Sequence, residues 1–446
     1  MRETEKILNI KKYYRRRKAY RKGLYCSLLL ACMSLFGVWY LYMYQQIPGN
    51  IKLKAGEEQI LNLGLPVAGE IVKMEDYAED MEAVTANGHG KSNIPAGSVY
   101  VDFSDSVTMK ADTLSNYQMT LKLFGFIPFK QVNIEVIRDM TLTPVGLPIG
   151  IYLKTEGVLV IGVGNFVTLD GTEVSPSQYL LKTGDYILEV DHKKVTGKKD
   201  FISTIEKSDG KPVILTINRD GEEFDVNVTP ALNQNGLPKL GIWVRDNAQG
   251  VGTMTFVDEE GNFGALGHGI NDVDTSIVMN LDSGTLYKTE IIGIKKGTKG
   301  EPGEMTGMID YSDKNILGIV KENTTKGIFG TCNEKMLSQI ETEPIPIGLK
   351  QEVKIGDAQI ICTVDGKPKY YDIRIKEIHL EHDNVNKGIV LEVTDPNLIA
   401  ITGGIVQGMS GAPIIQDGKL IGAVTHVLVN DSTKGYGIFI ENMLDN

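Results

Sequence analysis

At 446 residues the chain is too long for one hydrophobic core and has room for two or three domains. A content of 42% apolar and 23% charged residues excludes wholesale disorder. The net charge of −11 divides unevenly, and the acidic body excludes a nucleic-acid-binding surface, which needs a basic face. Residues 1–22 carry ten Lys/Arg against Glu3 and Glu5, a net +8 that leaves −19 for the rest.

The uncharged run "GLYCSLLLACMSLFGVWYLYMY" at residues 23–44 is long enough to span a hydrocarbon core of ~30 Å as a helix. Trp39, Tyr40, Tyr42 and Tyr44 crowd its far end as an interfacial belt would. The preceding cations hold the short tail in the cytoplasm by the positive-inside rule, which places residues 45–446 outside. A cleaved signal peptide is the competing reading. Its apolar core is shorter and a small-x-small site follows it, and "YMYQQIPGN" has none. A single-pass anchor with an extracytoplasmic body is therefore expected. Cys26 and Cys32 lie in the span, and whether Cys332 and Cys362 bridge is not decided by spacing.

Residues 45–130 alternate short apolar runs with Gly, Pro and Asn, which predicts a small β-rich module. "NGHGKSN" at 87–93 ends like a phosphate loop. Thr85 stands where that fingerprint needs glycine, so a solvated turn is expected.

Residues 131–235 read strand, turn, helix, strand, hairpin, strand. Asp200 can cap a helix with Phe201, Ile202 and Ile205 on one face, and Asp220-Gly221 marks the hairpin. With Gly184-Asp185, Ile187, Leu188 and Val190, this stretch resembles a PDZ domain of the kind attached to exported serine proteases. The resemblance makes Ile149, Gly150 and Ile151 the loop whose amides hold a peptide's terminal carboxylate while the peptide adds a strand.

Residues 240–446 are again short strands between Gly, Asp and Asn turns, which predicts a sandwich or a pair of barrels. Within them "GGIVQGMSGAPIIQDGKLIGAVTH" sets Ser410 between Gly408 and Gly411, with Pro413 close behind. Acyl transfer by serine needs an exposed hydroxyl, a base within reach and amides aimed at the oxyanion. Gly408 allows a turn that converges the N–H groups of Gly408 and Ser410. Gly-x-Ser-Gly-x-Pro followed by strand, turn, strand is similar to the nucleophile loop of chymotrypsin-like proteases, whose second strand lines the specificity pocket.

Of six histidines, His268 in "GALGHGI" lies well upstream between two glycines and is the expected base. His89 falls in the membrane-proximal module, His192 in the PDZ-like turn, and His379 and His382 near a strand end. His426 is expected to line the pocket. Chymotrypsin-like enzymes place the orienting acid roughly midway between histidine and serine; Asp310 and Asp313 are taken as nearest to that, while Asp272 and Asp274 follow the histidine.

These motifs, behind a PDZ-like region and one anchor, resemble the stage IV sporulation protein B peptidases, chymotrypsin-like serine peptidases of endospore-forming bacteria. The resemblance maps the acid onto Asp395 in "LEVTDPNLIAITGG". It implies a peptidase at the forespore membrane that processes itself and cuts a membrane-bound regulator. That cut releases an intramembrane protease and starts late sigma-factor activity. The PDZ domain would engage a peptide, its own chain being one source. The rival reading is a silent PDZ adaptor that binds peptide termini in the envelope. No His/Cys/Glu cluster has ligand spacing, so no metal or cofactor is expected.

Overall fold

The computed structural model describes residues 2–445 except 62–64, 74–80, 86–98, 104–105, 112 and 382–383. The phosphate-loop-like stretch at 87–93, with His89, and His382 lie outside the described residues. The chain forms two compact units, Met1–Arg138 and Asp139–Asn446.

The first unit opens with one continuous helix, α1 (Arg2–Gln46). Its segment Arg16–Gln45 is long and apolar enough to cross a membrane, and Leu28, Leu29, Leu30 and Leu41 are exposed as lipid contact requires. Part of the expected aromatic belt is used differently. Trp39 stacks on Phe124 at 6.2 Å, and Tyr40 and Tyr44 meet the Phe129 ring edge-on at 5.0 and 5.8 Å. Of these rings, Trp39, Tyr40 and Phe129 pack into the core of an all-β module, a five-stranded sheet beside a three-stranded one. Strand Ile127–Ile137 runs through the expected boundary at residue 130, held by Asn50–Lys54 on one side and Asn116–Leu123 on the other.

The second unit is built on long strands. We label β1 (Pro148–Val163), β2 (Tyr186–Val190), α2 (Lys198–Lys207), β3 (Val213–Arg219) and β4 (Glu222–Val228). There follow β5 (Ile242–Val257), β6 (Asn262–Ala265), β7 (Leu281–Lys295), β8 (Gly303–Ile309), β9 (Ile316–Thr324) and β10 (Gly327–Cys332). Strand pairing closes a ring in the order β1, β5, β6, β10, β9, β7 and back to β1. Ile149, Ile151, Leu153, Met254, Phe263 and Leu286 fill it.

A second barrel closes from β11 (Gly356–Thr363), β12 (Pro368–Ile378), β13 (Ile389–Val393), β14 (Pro413–Gln416), β15 (Lys419–Leu428) and β16 (Asp431–Phe439). The short helix α3 (Pro396–Thr402) lies between β13 and β14. The fold is mainly β, with an apolar N-terminal helix and two barrels in the second unit, as the strand grammar predicts.

The order of domains along the chain is not linear. Both halves of β1 pair with β5: Pro148–Lys154 with Asn247–Thr253 in the barrel, and Leu159–Val163 with Ile242–Arg245 beyond it. The PDZ-like module, with its own core of Val158, Val160, Ile187, Phe201, Leu215 and Ile217, is thus inserted into a hairpin of the first barrel. Gly157 marks the crossing. Its φ is +65°, and a Cβ there would meet the Ile187 carbonyl oxygen at 2.1 Å, so only glycine fits.

Candidate active site

His268 follows β6 at the rim of the first barrel, and Ser410 precedes β14 of the second. The two loops are fastened together at Gly411. Its φ is +95°, and a Cβ would lie 2.0 Å from the Thr253 carbonyl oxygen and 2.5 Å from the Leu266 nitrogen. Any side chain at 411 would push the serine loop off the histidine loop. This gives the Ser-Gly of the sequence motif its physical cause.

The imidazole of His268 is half-buried, and its Nδ1 lies 2.8 Å from the Gly269 carbonyl oxygen. A carbonyl only accepts, so Nδ1 carries the proton and Nε2 keeps its lone pair, the tautomer a general base needs. Burial pushes the His268 pKa below the ordinary histidine value. The His426 ring stands 4.9 Å from that of His268 at 37°. Burial, then the His268 and Lys387 charges, lowers the His426 pKa to about 4.

Ser410 Oγ donates to the Thr425 carbonyl at 2.7 Å, on the residue before His426, so at rest the hydroxyl is parked on β15. Around it, Met409 N–H donates to Val406, Gly411 N–H to Val424 and Ala412 N–H to Met409. Among the described residues, the amides of Gly408 and Ser410, the expected oxyanion donors, have no hydrogen-bond acceptor.

The orienting acid is where expectation and structure part. Asp395 is the N-cap of α3, and its Oδ1 accepts from the amides of Asn397 and Leu398 at 2.8 and 3.1 Å. Its carboxylate thus serves the helix start, with Pro396 in the first turn, and makes no hydrogen bond to His268. Asp272 is buried and, with Asp274, is engaged by Arg245. Burial alone would raise the Asp272 pKa, but the amides of Thr275 and Asp274 and the Arg245 guanidinium together hold it low. Asp310 accepts from the Ser312 amide and Asp313 starts a short 3-10 turn. The partner of His268 Nδ1 in the structure is the Gly269 carbonyl, not a carboxylate. Of the remaining histidines, His192 sits in a turn at φ +59° and His379 pairs with Glu377 at 3.2 Å.

The expected carboxylate loop also requires correction. Ile149, Gly150 and Ile151 lie mid-sheet, paired to Val251–Gly252 and Gly250 on one edge and to Leu286–Lys288 on the other. Ile149 is wholly buried and Ile151 2% exposed. A strand hydrogen-bonded on both edges has no amides left for a ligand. An open cleft of about 690 Å³ lies instead between α2 and the start of β5, lined by Phe201, Ile202, Ile205, Leu240, Gly241 and Trp243. There Ile242–Arg245 pair with β1 on one edge and with no described strand on the other. Sequence reasoning missed this site, although Leu240-Gly241-Ile242 repeats the apolar-Gly-apolar pattern of 149–151.

A serine followed by Gly411 on a loop of one β-barrel, seated against the histidine loop of the other, is the arrangement that a serine peptidase of the double-barrel class requires. Residues 236–444 match the family described as SpoIVB peptidase S55, a match that supports a serine peptidase of that type. Among solved structures, the chain is similar to the crystal structure of the PDZ domain of the SdrC-like protein from Listeria monocytogenes. Identity is 23% over 20% of this chain and 87% of that one, with a TM-score of 0.17. No curated protein matches the chain.

Proposed function

We propose that the protein is a membrane-anchored serine endopeptidase in which Ser410 is the nucleophile and His268 its base. It processes its own chain and cuts a membrane-bound regulatory protein during endospore formation. The observation that carries this reading is Gly411, whose missing Cβ lets the serine loop seat against the histidine loop.

In the reaction Ser410 turns from the Thr425 carbonyl toward His268 Nε2 and attacks a peptide carbonyl carbon. The C–O bond forms as the hydroxyl proton passes to His268. The Gly408 and Ser410 amides receive the negative oxygen. His268 then hands its proton to the leaving nitrogen as the C–N bond breaks, and water repeats the sequence to free the acyl group. The Gly269 carbonyl holds the ring throughout.

The PDZ-like module takes a peptide segment along the open edge at Ile242–Arg245, with a terminal carboxylate at the Leu240–Ile242 amides and an apolar side chain against Phe201 and Ile205. Supporting the anchor are the length and exposed apolar face of α1. The ten cations before its apolar run favour a cytoplasmic N terminus and an extracytoplasmic body at the forespore membrane.

Mass spectrometry of the N terminus, wild type beside Ser410→Ala, tests the reading. Trimming confined to the wild type is expected. Trimming of purified Ser410→Ala protein would refute it, and an adaptor alone would leave both chains intact.

A further inference from the structure

We infer that Thr253 is a positioning residue that builds the oxyanion site of the peptidase, an inference that rests on the assignment of Ser410 as nucleophile. Thr253 is 2% exposed and lies on β5, in the first barrel. It touches the nucleophile loop of the second barrel twice. Its Oγ1 donates to the Gly408 carbonyl at 2.8 Å, and its N–H donates to the Ser410 carbonyl at 2.9 Å. Its own carbonyl accepts from the Leu266 N–H at 3.2 Å, two residues before His268. One side chain and its peptide groups thus hold both catalytic loops.

Peptide-plane geometry says what that grip does. The 408–409 plane is pinned at both ends, its carbonyl by Thr253 Oγ1 and its N–H by the Val406 carbonyl. The 410–411 plane is pinned likewise, its carbonyl by the Thr253 N–H and its N–H by the Val424 carbonyl. A peptide unit is rigid, so fixing these two planes dictates how the planes between and before them turn. Those are 409–410 and 407–408, which carry the Ser410 and Gly408 amides. Without the Thr253 hydroxyl the 408–409 plane is held only by Val406, and Gly408, at φ +100°, is the residue best able to let it rotate.

The side-chain bond is separable from the backbone bonds by substitution, which makes the inference testable. In the full-length chain, the second-order rate of Ser410 labelling by a fluorophosphonate reads oxyanion stabilisation directly, because charge develops on the phosphoryl oxygen. Thr253→Val is expected to slow labelling about ten- to hundredfold, toward the loss seen when one oxyanion donor is removed. Thr253→Ser, which restores the hydroxyl, is expected to stay within about threefold of wild type on the same ground. Thr253→Ala carries the same expectation as valine and replaces it should valine fail to fold, with near-ultraviolet circular dichroism as the check. Wild-type labelling speed in the valine or alanine variant overturns the inference, as does a serine variant as slow as valine. A wild-type chain that labels elsewhere than Ser410 overturns the nucleophile assignment and this inference together.

Discussion

His268 and Asp395 show how differently two neighbouring chemistries are written in single residues. The imidazole is held by a backbone carbonyl and kept neutral by burial. A base works only when neutral, so a lowered pKa extends activity to lower pH. The acid limb of kcat/KM is expected to fall below pH 6.5, the unperturbed histidine value, and a midpoint above it would contradict the buried-imidazole account. Stability follows the same sign. As pH falls below 6.5 the unfolded chain takes up a proton that the folded imidazole refuses, so unfolding becomes easier. Asp395 makes the opposite case. Asp395→Ala is expected to cost about 1 kcal/mol by loss of a helix cap while leaving kcat of the folded enzyme within about twofold. Denaturant unfolding and kcat measured on the same preparation check both halves, and a kcat loss of several orders of magnitude would return Asp395 to the triad. The signal was legible in the sequence, since Asp-Pro before an apolar run is a helix start.

At the scale of elements, β5 links the open cleft beside α2 to the proposed reacting groups. Its first residues form the open edge beside α2, Arg245 grips the loop after His268, and Thr253 grips the loop of Ser410. Arg245→Met leaves the buried Asp272 carboxylate without its cation, and removing one partner of such a pair costs on the order of 3 kcal/mol. Faster hydrogen exchange over residues 270–276 is expected, together with a lower unfolding midpoint. Unchanged exchange there would show that the ion pair does not order the loop. The sequence made the strands of this region visible through alternation and turn residues, but their partners were not visible. Ile149-Gly150-Ile151 and Leu240-Gly241-Ile242 look alike locally. Only pairing across about a hundred residues leaves the second triplet open, and periodicity carries no such information.

The second unit is a pair of barrels, the first of them interrupted by a module. Its first barrel takes a wall from β1, upstream of the PDZ-like insertion, whereas the family match begins at residue 236. A chain starting at 236 therefore lacks the strand between β5 and β7 and exposes both edges. It is expected to be insoluble or to lack a cooperative unfolding transition, whereas a chain starting at 139 is expected to unfold cooperatively. A cooperative, probe-reactive 236–446 fragment would contradict the shared-wall architecture. The sequence disclosed the apolar span, the β-rich character and the glycine-rich turn around Ser410, because each is written in a contiguous stretch. Insertion, barrel closure and the grip of Thr253 join residues far apart in the chain and needed the fold. The most direct test of the central claim is peptide mapping of the full chain after fluorophosphonate treatment, wild type beside His268→Ala. The account predicts one adduct, on Ser410, and its loss with the histidine; no adduct on Ser410, or equal labelling without His268, would contradict it.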